Sequence, residues 1–64
     1  MNISLNGETV RLNGSTVADL IEQAQPPKPF AVAVNTAFVP KTRYAEITLN
    51  EGDKIDIVRP VVGG

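Results

Sequence analysis

Residues 16–34 read TVADLIEQAQPPKPFAVAV, and within this stretch the hydrophobic period changes from that of a helix to that of a strand. Four apolar residues fall at helical spacing and would lie on a sheet as one stripe: Val17, Leu20, Ile21 and Ala24. Thr16 and Asp19 form a capping-box pattern, which predicts a helix that begins near Val17. The prolines from Pro26 onward end it, because proline lacks an amide proton and clashes with the preceding turn.

Alternating apolar and polar residues precede the helix and predict a β-hairpin. Met1, Ile3 and Leu5 alternate with polar neighbours, which is the period of a half-buried strand. Asn6-Gly7 follows, and these two residue types tolerate the positive φ angles of a type I′ turn. A return strand is therefore expected to run toward Leu12.

Three further stretches, after the prolines, have the strand period. They are Phe30 to Val34, Phe38 with Val39, and Ile55 with Ile57. Ile47 and Leu49 show the same alternation, and turn residues at 50–53 separate them from the last strand. The outward positions of the first stretch, Ala31 and Ala33, are small and apolar, so we expect that this second face of the sheet is not fully solvated.

The order of these elements predicts an α+β fold. A chain of 64 residues is too short for two hydrophobic cores. One helix packed across one sheet is the smallest way to bury both apolar faces. We therefore expect one domain over residues 1–60 and a flexible tail over residues 61–64.

Composition excludes most familiar kinds of site. The chain has no Cys and no His, which excludes disulfides, thiol chemistry and imidazole-based catalysis. Six Lys and Arg against seven Asp and Glu, without a basic run, argue against a nucleic acid partner. Glu51, Asp53 and Asp56 do not converge, so we expect no metal site. No leader or apolar stretch of about 18 residues is visible, and we expect a cytoplasmic protein with no membrane partner.

The final Gly63-Gly64 stands where no turn requires glycine. A frayed terminus of small residues is one interpretation. The other is a carboxylate that passes through a narrow groove into another protein's active site, since glycine lets a backbone approach a partner closely. A carboxylate is a poor electrophile and would first need activation, for example as an acyl adenylate made from ATP by a partner enzyme. The chain would then be an acyl donor or a sulfur carrier, a co-substrate rather than an enzyme.

Several residues at fixed spacings resemble those of the ThiS family of sulfur-carrier proteins. They are Ala33-Val34-Asn35, Val39-Pro40, Gly52-Asp53, Ile55, Ile57 and the terminal Gly63-Gly64. The resemblance covers essentially the whole chain. It implies a ubiquitin-like β-grasp fold, a mixed sheet of four to five strands with one helix packed across it, in which the last strand lies beside the first and parallel to it. Pro60 departs from the family pattern and restricts the φ angle at which the tail leaves the sheet.

The resemblance also implies a function in thiamine biosynthesis. A ThiF-like E1 enzyme would adenylate the Gly64 carboxylate with ATP, and sulfur from a cysteine desulfurase would replace AMP to give a thiocarboxylate. That group would donate sulfur to the thiazole synthase ThiG. Gly64 would carry the reactive carbonyl, Gly63 would give access to it, and Val61 and Val62 would be the apolar stem that both partners contact. The carrier itself would bind no cofactor, because the activating partner uses the ATP.

Residues near the tail are candidate contacts with these partners. Ala31, Ala33 and Val58 are expected on outward faces of neighbouring strands, where a contiguous apolar surface would mark a partner site. Scattered exposed apolar residues are the alternative. Arg59 would either pair with an acidic groove on an activating enzyme or remain solvated.

Two other functions stay open. The small subunit of molybdopterin synthase, MoaD, shares the expected fold and tail but is usually longer. A ubiquitin-like modifier would join the same acyl adenylate to an amine, and a ubiquitin-like binding domain would have an inert tail.

Overall fold

The computed structural model describes residues 1–59, which form a five-stranded sheet and one α-helix. The strands are β1 (Asn2–Leu5), β2 (Glu8–Arg11), β3 (Ala31–Val34), β4 (Ala37–Val39) and β5 (Lys54–Val58), and the helix α1 spans Val17–Ala24. A short 3₁₀ helix at Lys41–Arg43 follows β4. The order of these five strands and the helix is the one that the sequence predicts, apart from the alternation at Ile47 and Leu49. The predicted boundary between domain and tail, at residues 60 and 61, lies outside the described residues.

The strands pair in the order β2-β1-β5-β3-β4. At the centre β1 and β5 run parallel, with Leu5 beside Ile55, and the other pairings are antiparallel. This parallel contact joins the first and last strands, whereas consecutive strands form the two hairpins. A mixed sheet of this order with α1 packed on it is the β-grasp fold that the resemblance implies.

Both hairpins turn on two residues with positive φ. Asn6 (51°) and Gly7 (86°) connect β1 to β2, as the sequence predicts for a type I′ turn. Asn35 (49°) and Thr36 (73°) connect β3 to β4. Thr36 is β-branched, and a positive φ is strained for such a residue. The contacts that surround this turn must therefore offset the strain.

Hydrogen bonds of the predicted capping box hold the start of α1. The Asp19 N–H donates to Thr16 Oγ1 at 3.2 Å, and the Asp19 carboxylate accepts from the backbone N–H groups of Ser15 at 2.9 Å and Thr16 at 3.2 Å. These bonds, with that from Ser15 the strongest, lower the pKa of Asp19 because they stabilise its charged form. A Cβ on Gly14 would lie 2.5 Å from the Asp19 side chain, so this close approach requires glycine.

One side of α1 and the facing side of the sheet form the hydrophobic core. Its buried members are Ile3, Leu12, Val17, Leu20, Val32, Leu49 and Ile55. Ile21 is half-buried against this cluster, whereas Ala24 is exposed. The predicted apolar stripe is wrong at Ala24, because α1 ends there and Gln25 turns the chain in the left-handed conformation.

The alternation at Ile47 and Leu49 does not produce a strand. This stretch forms an isolated bridge with Thr16 instead. The Leu49 N–H donates to the Ser15 carbonyl at 2.7 Å, and the Ile47 carbonyl accepts from the Val17 N–H at 3.0 Å. The segment therefore pairs with the start of α1 rather than with the sheet, and Leu49 closes the core from that side.

Candidate partner-binding surface

The face of the sheet opposite α1 carries the three apolar residues predicted as a partner contact. In the β3–β5 pairing, Ala31 lies opposite Val58 and Ala33 lies opposite Asp56. Val32, between the two alanines, is buried in the core. Because side chains alternate along a strand, Ala31, Ala33 and Val58 share the outer face of the sheet.

Phe38 belongs to the same surface, although the sequence interpretation did not include it. It lies opposite Ala33 in the β3–β4 pairing and is 68% exposed. Val58, on the other side of β3, is 56% exposed. The next residue, Val39, is buried, so the alternation through β4 is the signal that could have identified Phe38. We call Ala31, Ala33, Phe38 and Val58 the outer apolar patch.

The outer apolar patch is suited to docking. Removing apolar surface from water favours association by about 25 cal/mol per Å². Aromatic residues such as Phe38 are common anchors of protein interfaces, and Ala31 and Ala33 add little bulk between Phe38 and Val58. Asp56 is an ionisable residue of this face and is half-buried beside Ala33. Its position offers a charge at the edge of a contact rather than a reacting group.

The chain leaves the sheet beside this patch. Val58 is the last residue of β5, and the exposed Arg59 follows it. Among residues 1–59, Arg59 has no ion pair. The predicted functional residues of the tail lie outside the described residues and stay predictions: Val61, Val62, Gly63 and Gly64. Pro60 lies outside them too.

Asn35 and Asp53, which both belong to the family pattern, support the fold. The Lys54 N–H donates to Asn35 Oδ1 at 3.0 Å, and Asn35 Nδ2 donates to the Asp53 carboxylate at 3.2 Å. The Asp53 carboxylate also accepts from the Asn50 N–H at 2.8 Å. These bonds tie the β3–β4 turn to the start of β5, and they help to hold Thr36 in its strained conformation.

A polar groove beside α1 is lined in part by Gln23. Asn13, Asp19 and Glu22 also line it. The Asn13 N–H donates to Gln23 Oε1 at 2.9 Å, and Gln23 Nε2 donates to the Arg11 carbonyl at 2.8 Å. These groups therefore join α1 to the end of β2.

The acidic residues near the last turn also form hydrogen bonds within the fold. The Asn2 N–H donates to both carboxylate oxygens of Glu51, at 3.1 and 3.0 Å. Over residues 1–59, no three side chains of the types that ligate metals come together. In the same part of the chain, no helix has the length and apolar character to cross a membrane.

Comparison with known proteins identifies the family. The ThiS family profile matches residues 2–64. A thiazole synthase from Paramagnetospirillum magneticum is 33% identical over 66 residues, a match that covers 100% of this chain and 20% of that protein. The chain thus spans one fifth of that relative's length. The crystal structure of the thiamine biosynthesis protein ThiS from Geobacter metallireducens has a TM-score of 0.86 and 20% identity over the whole of both chains, which shows a shared fold.

The matched range, residues 2–64, contains the strands of the sheet, the outer apolar patch and the terminal Gly63-Gly64. The shared fold agrees with the strand order and the single described helix. The chain therefore belongs to the ThiS family.

Proposed function

We propose that the chain is a sulfur carrier for the formation of the thiazole ring of thiamine. The observation that carries the proposal is the family match, because it extends through Gly63 and Gly64, the residues that would bear the sulfur. On this proposal the chain is a co-substrate and not an enzyme. The absence of His and Cys from the sequence agrees with chemistry that partner proteins perform.

The proposed chemistry takes place at the Gly64 carboxylate. A ThiF-like E1 enzyme joins this carboxylate to the α-phosphate of ATP, with release of pyrophosphate. The terminal sulfur of a persulfide formed on a cysteine desulfurase then attacks the carbonyl carbon, and AMP leaves. A thiol reductant supplies two electrons and cleaves the resulting acyl disulfide. The product is a thiocarboxylate, whose sulfur passes to the thiazole. Glycine suits this position because no Cβ blocks the carbonyl carbon from the incoming nucleophile.

A thiazole synthase is the proposed acceptor of the sulfur. The relative in Paramagnetospirillum magneticum bears that name, and this chain matches one fifth of it. A region so similar within a thiazole synthase supports a partnership between the separate chain and such an enzyme. The same partnership supplies a reason for an exposed apolar surface beside the base of the tail.

The outer apolar patch would receive the partners. Val58 and Phe38 are exposed on either side of β3, while the core residues of the same strands are buried. Arg59 lies between this patch and the tail in sequence and would pair with acidic groups of an activating enzyme. A partner that covers the patch would thereby align residues 60–64 with its active site, and the loss of entropy on docking would fall on a short segment.

Removal of Gly64 from the full chain tests the proposal. We expect the shortened chain to lose sulfur transfer in a mixture of ATP, an E1-like enzyme, a cysteine desulfurase and a thiazole synthase. The free energy of unfolding in urea should not change, because the core lies within residues 3–55. A matched control, Gly64→Ala, keeps the chain length and the carboxylate and should retain slower transfer.

Three outcomes would contradict the proposal. Full thiazole formation by the shortened chain would show that Gly64 carries no sulfur. Transfer to a molybdopterin precursor, with none to the thiazole, would favour the MoaD-like alternative. Covalent adducts between Gly64 and lysines of other proteins would favour a modifier.

A further inference from the structure

A cleft at the tail end of the sheet has a combination of residues that the proposed sulfur chemistry does not use. It is lined by Lys28, Pro29, Phe30, Lys41 and Tyr44, with a volume of about 260 Å³. The rings of Phe30 and Tyr44 are stacked, with centroids 6.3 Å apart and planes 15° apart. Both rings also pack against the hydrophobic core, so the aromatic floor is held in place.

Backbone hydrogen bonds also fix the segment of the cleft that contains Lys41 and Tyr44. The Ala18 N–H, in the first turn of α1, donates to the Tyr44 carbonyl at 2.9 Å. The Tyr44 N–H donates to the Lys41 carbonyl at 3.3 Å across the 3₁₀ helix. The cleft is therefore preorganised, which lowers the entropy lost when a ligand binds.

The register of the sheet places this cleft beside the base of the tail. Phe30 directly precedes Ala31, which pairs with Val58, the last residue of β5. Lys41 follows β4. Because β4 runs antiparallel to β3, it ends beside the start of β3, at the same end of the sheet as Phe30. A protein that holds residues 60–64 would therefore meet the cleft as well as the outer apolar patch.

The charge around the cleft, at this end of the sheet, is positive, although the whole chain carries a net charge of −1. Lys28 and Lys41 line the cleft, no carboxylate lines it, and Arg59 extends from the adjacent strand end. Among residues 1–59, neither lysine forms an ion pair, whereas Arg43 is paired with Glu46 at 3.1 Å. The cleft is thus complementary to a negative group.

We propose that this cleft receives an acidic side chain, Asp or Glu, from a loop of the thiazole synthase that accepts the sulfur. A volume of about 260 Å³ is below the range of about 300 to 1,000 Å³ typical of small-molecule sites, and it suits one side chain of a partner. The carboxylate lies between the two lysines, and its methylene groups contact the rings of Phe30 and Tyr44. This assignment rests on the proposed function, because it takes the thiazole synthase as the partner.

Charge reversal at Lys41 tests the assignment in the full chain. The Kd for a purified thiazole synthase is measured by fluorescence anisotropy for the original chain, Lys41→Glu, Lys41→Arg and a matched control, Arg11→Glu. Arg11 is exposed on β2, at the opposite edge of the sheet. We expect Lys41→Glu to raise the Kd about tenfold, while Lys41→Arg and Arg11→Glu change it little. Added salt should reduce the difference between Lys41→Glu and the original chain.

The outcomes separate the cleft from the proposed function. If the original chain binds and Lys41→Glu resembles Arg11→Glu, the cleft assignment is wrong and the proposed function survives. If the original chain does not bind any thiazole synthase tested, both are wrong. An NMR titration of the free chain with inorganic phosphate covers the other source of negative charge. Saturable shifts at the Tyr44 amide, with synthase binding unaffected by Lys41→Glu, would assign the cleft to a free anion and overturn the proposal.

Discussion

The two faces of the central strands use the same kinds of residue for opposite purposes. On β5, Ile55 is completely buried beneath α1, whereas Val58, at the end of the same strand, is 56% exposed. On β3, Val32 is buried between two alanines that share the outer face. The difference shows that burial, rather than hydrophobicity alone, separates residues that stabilise the fold from those available to a partner.

We call the face of the sheet beneath α1 the covered face and the opposite face the open face. The covered face should contribute most of the stability, and Ile55→Ala is the strongest test of this difference between the two faces. Ile→Ala substitutions in cores cost about 2 to 5 kcal/mol, through lost burial and the cavity left behind. At typical values per residue, a chain of this size has about 3 to 10 kcal/mol in total. We expect Ile55→Ala to lower the free energy of unfolding by about 2 to 5 kcal/mol, as measured by urea unfolding followed by circular dichroism.

The matched control on the open face is Val58→Ala. It removes methyl groups from the same strand, and we expect the free energy of unfolding to change by less than about 0.5 kcal/mol. Equal losses in the two variants would mean that the outer face is covered in solution, and the division between the faces would fail.

Packing on the covered face requires that α1 is formed, and the hydrogen bonds of Asp19 at the start of α1 should weaken in acid. The carboxylate of Asp19 accepts hydrogen bonds that lower its pKa in the folded chain below the ordinary value of 3.8. A lowered folded pKa means that the contribution is complete above the unfolded pKa and is lost as the pH falls through the folded pKa. We therefore expect the urea concentration at the unfolding midpoint to decrease as the pH is lowered below about 4. Asp19→Asn should make this decrease smaller.

Asp19→Asn distinguishes this group from the other carboxylates of the chain. An identical acid profile in the variant and the original chain would show that Asp19 contributes nothing to the pH dependence. Phe38→Ala, on the open face, should leave the profile unchanged.

Phe38→Ala should have little effect on stability and a clear effect on binding. Because Phe38 is 68% exposed, we expect the free energy of unfolding to change by less than about 0.5 kcal/mol. Loss of an aromatic anchor should raise the Kd for a thiazole synthase about tenfold. Phe38→Leu keeps an apolar group and should retain most of the binding. Unchanged binding of Phe38→Ala would remove Phe38 from the outer apolar patch as a contact.

Much of the fold was predictable because local patterns and tertiary contacts agree. Asn6-Gly7 forms the expected turn, and Thr16 with Asp19 forms the expected cap, since each depends on neighbours in sequence. The alternation at Ile47 and Leu49 wrongly indicated a strand, because alternation also occurs where a loop pairs with the start of a helix. Their hydrogen bonds to Ser15 and Val17 come from residues distant in sequence, which the period of a short stretch does not show.

The candidate site was predictable only in part. Alternation along β3 placed Ala31 and Ala33 outward, but the inclusion of Phe38 needs the β3–β4 register, in which it lies opposite Ala33. The cleft required still more, because Lys28 precedes β3 and Lys41 begins the 3₁₀ helix after β4, and the two segments meet only when β3 and β4 pair. The family resemblance implied the parallel pairing of β1 with β5, since no local pattern in the sequence specifies it.

The most direct test of the sulfur-carrier account is the intact mass of the chain after incubation with ATP, an E1-like enzyme, a thiol reductant and a cysteine desulfurase with its sulfur source. The account predicts a mass increase equal to the exchange of one oxygen for one sulfur, with the change located at Gly64 by fragmentation. It also predicts that a thiazole synthase and its other substrates return the mass to the original value. An unchanged mass under conditions in which an established carrier of this family is converted would contradict the account.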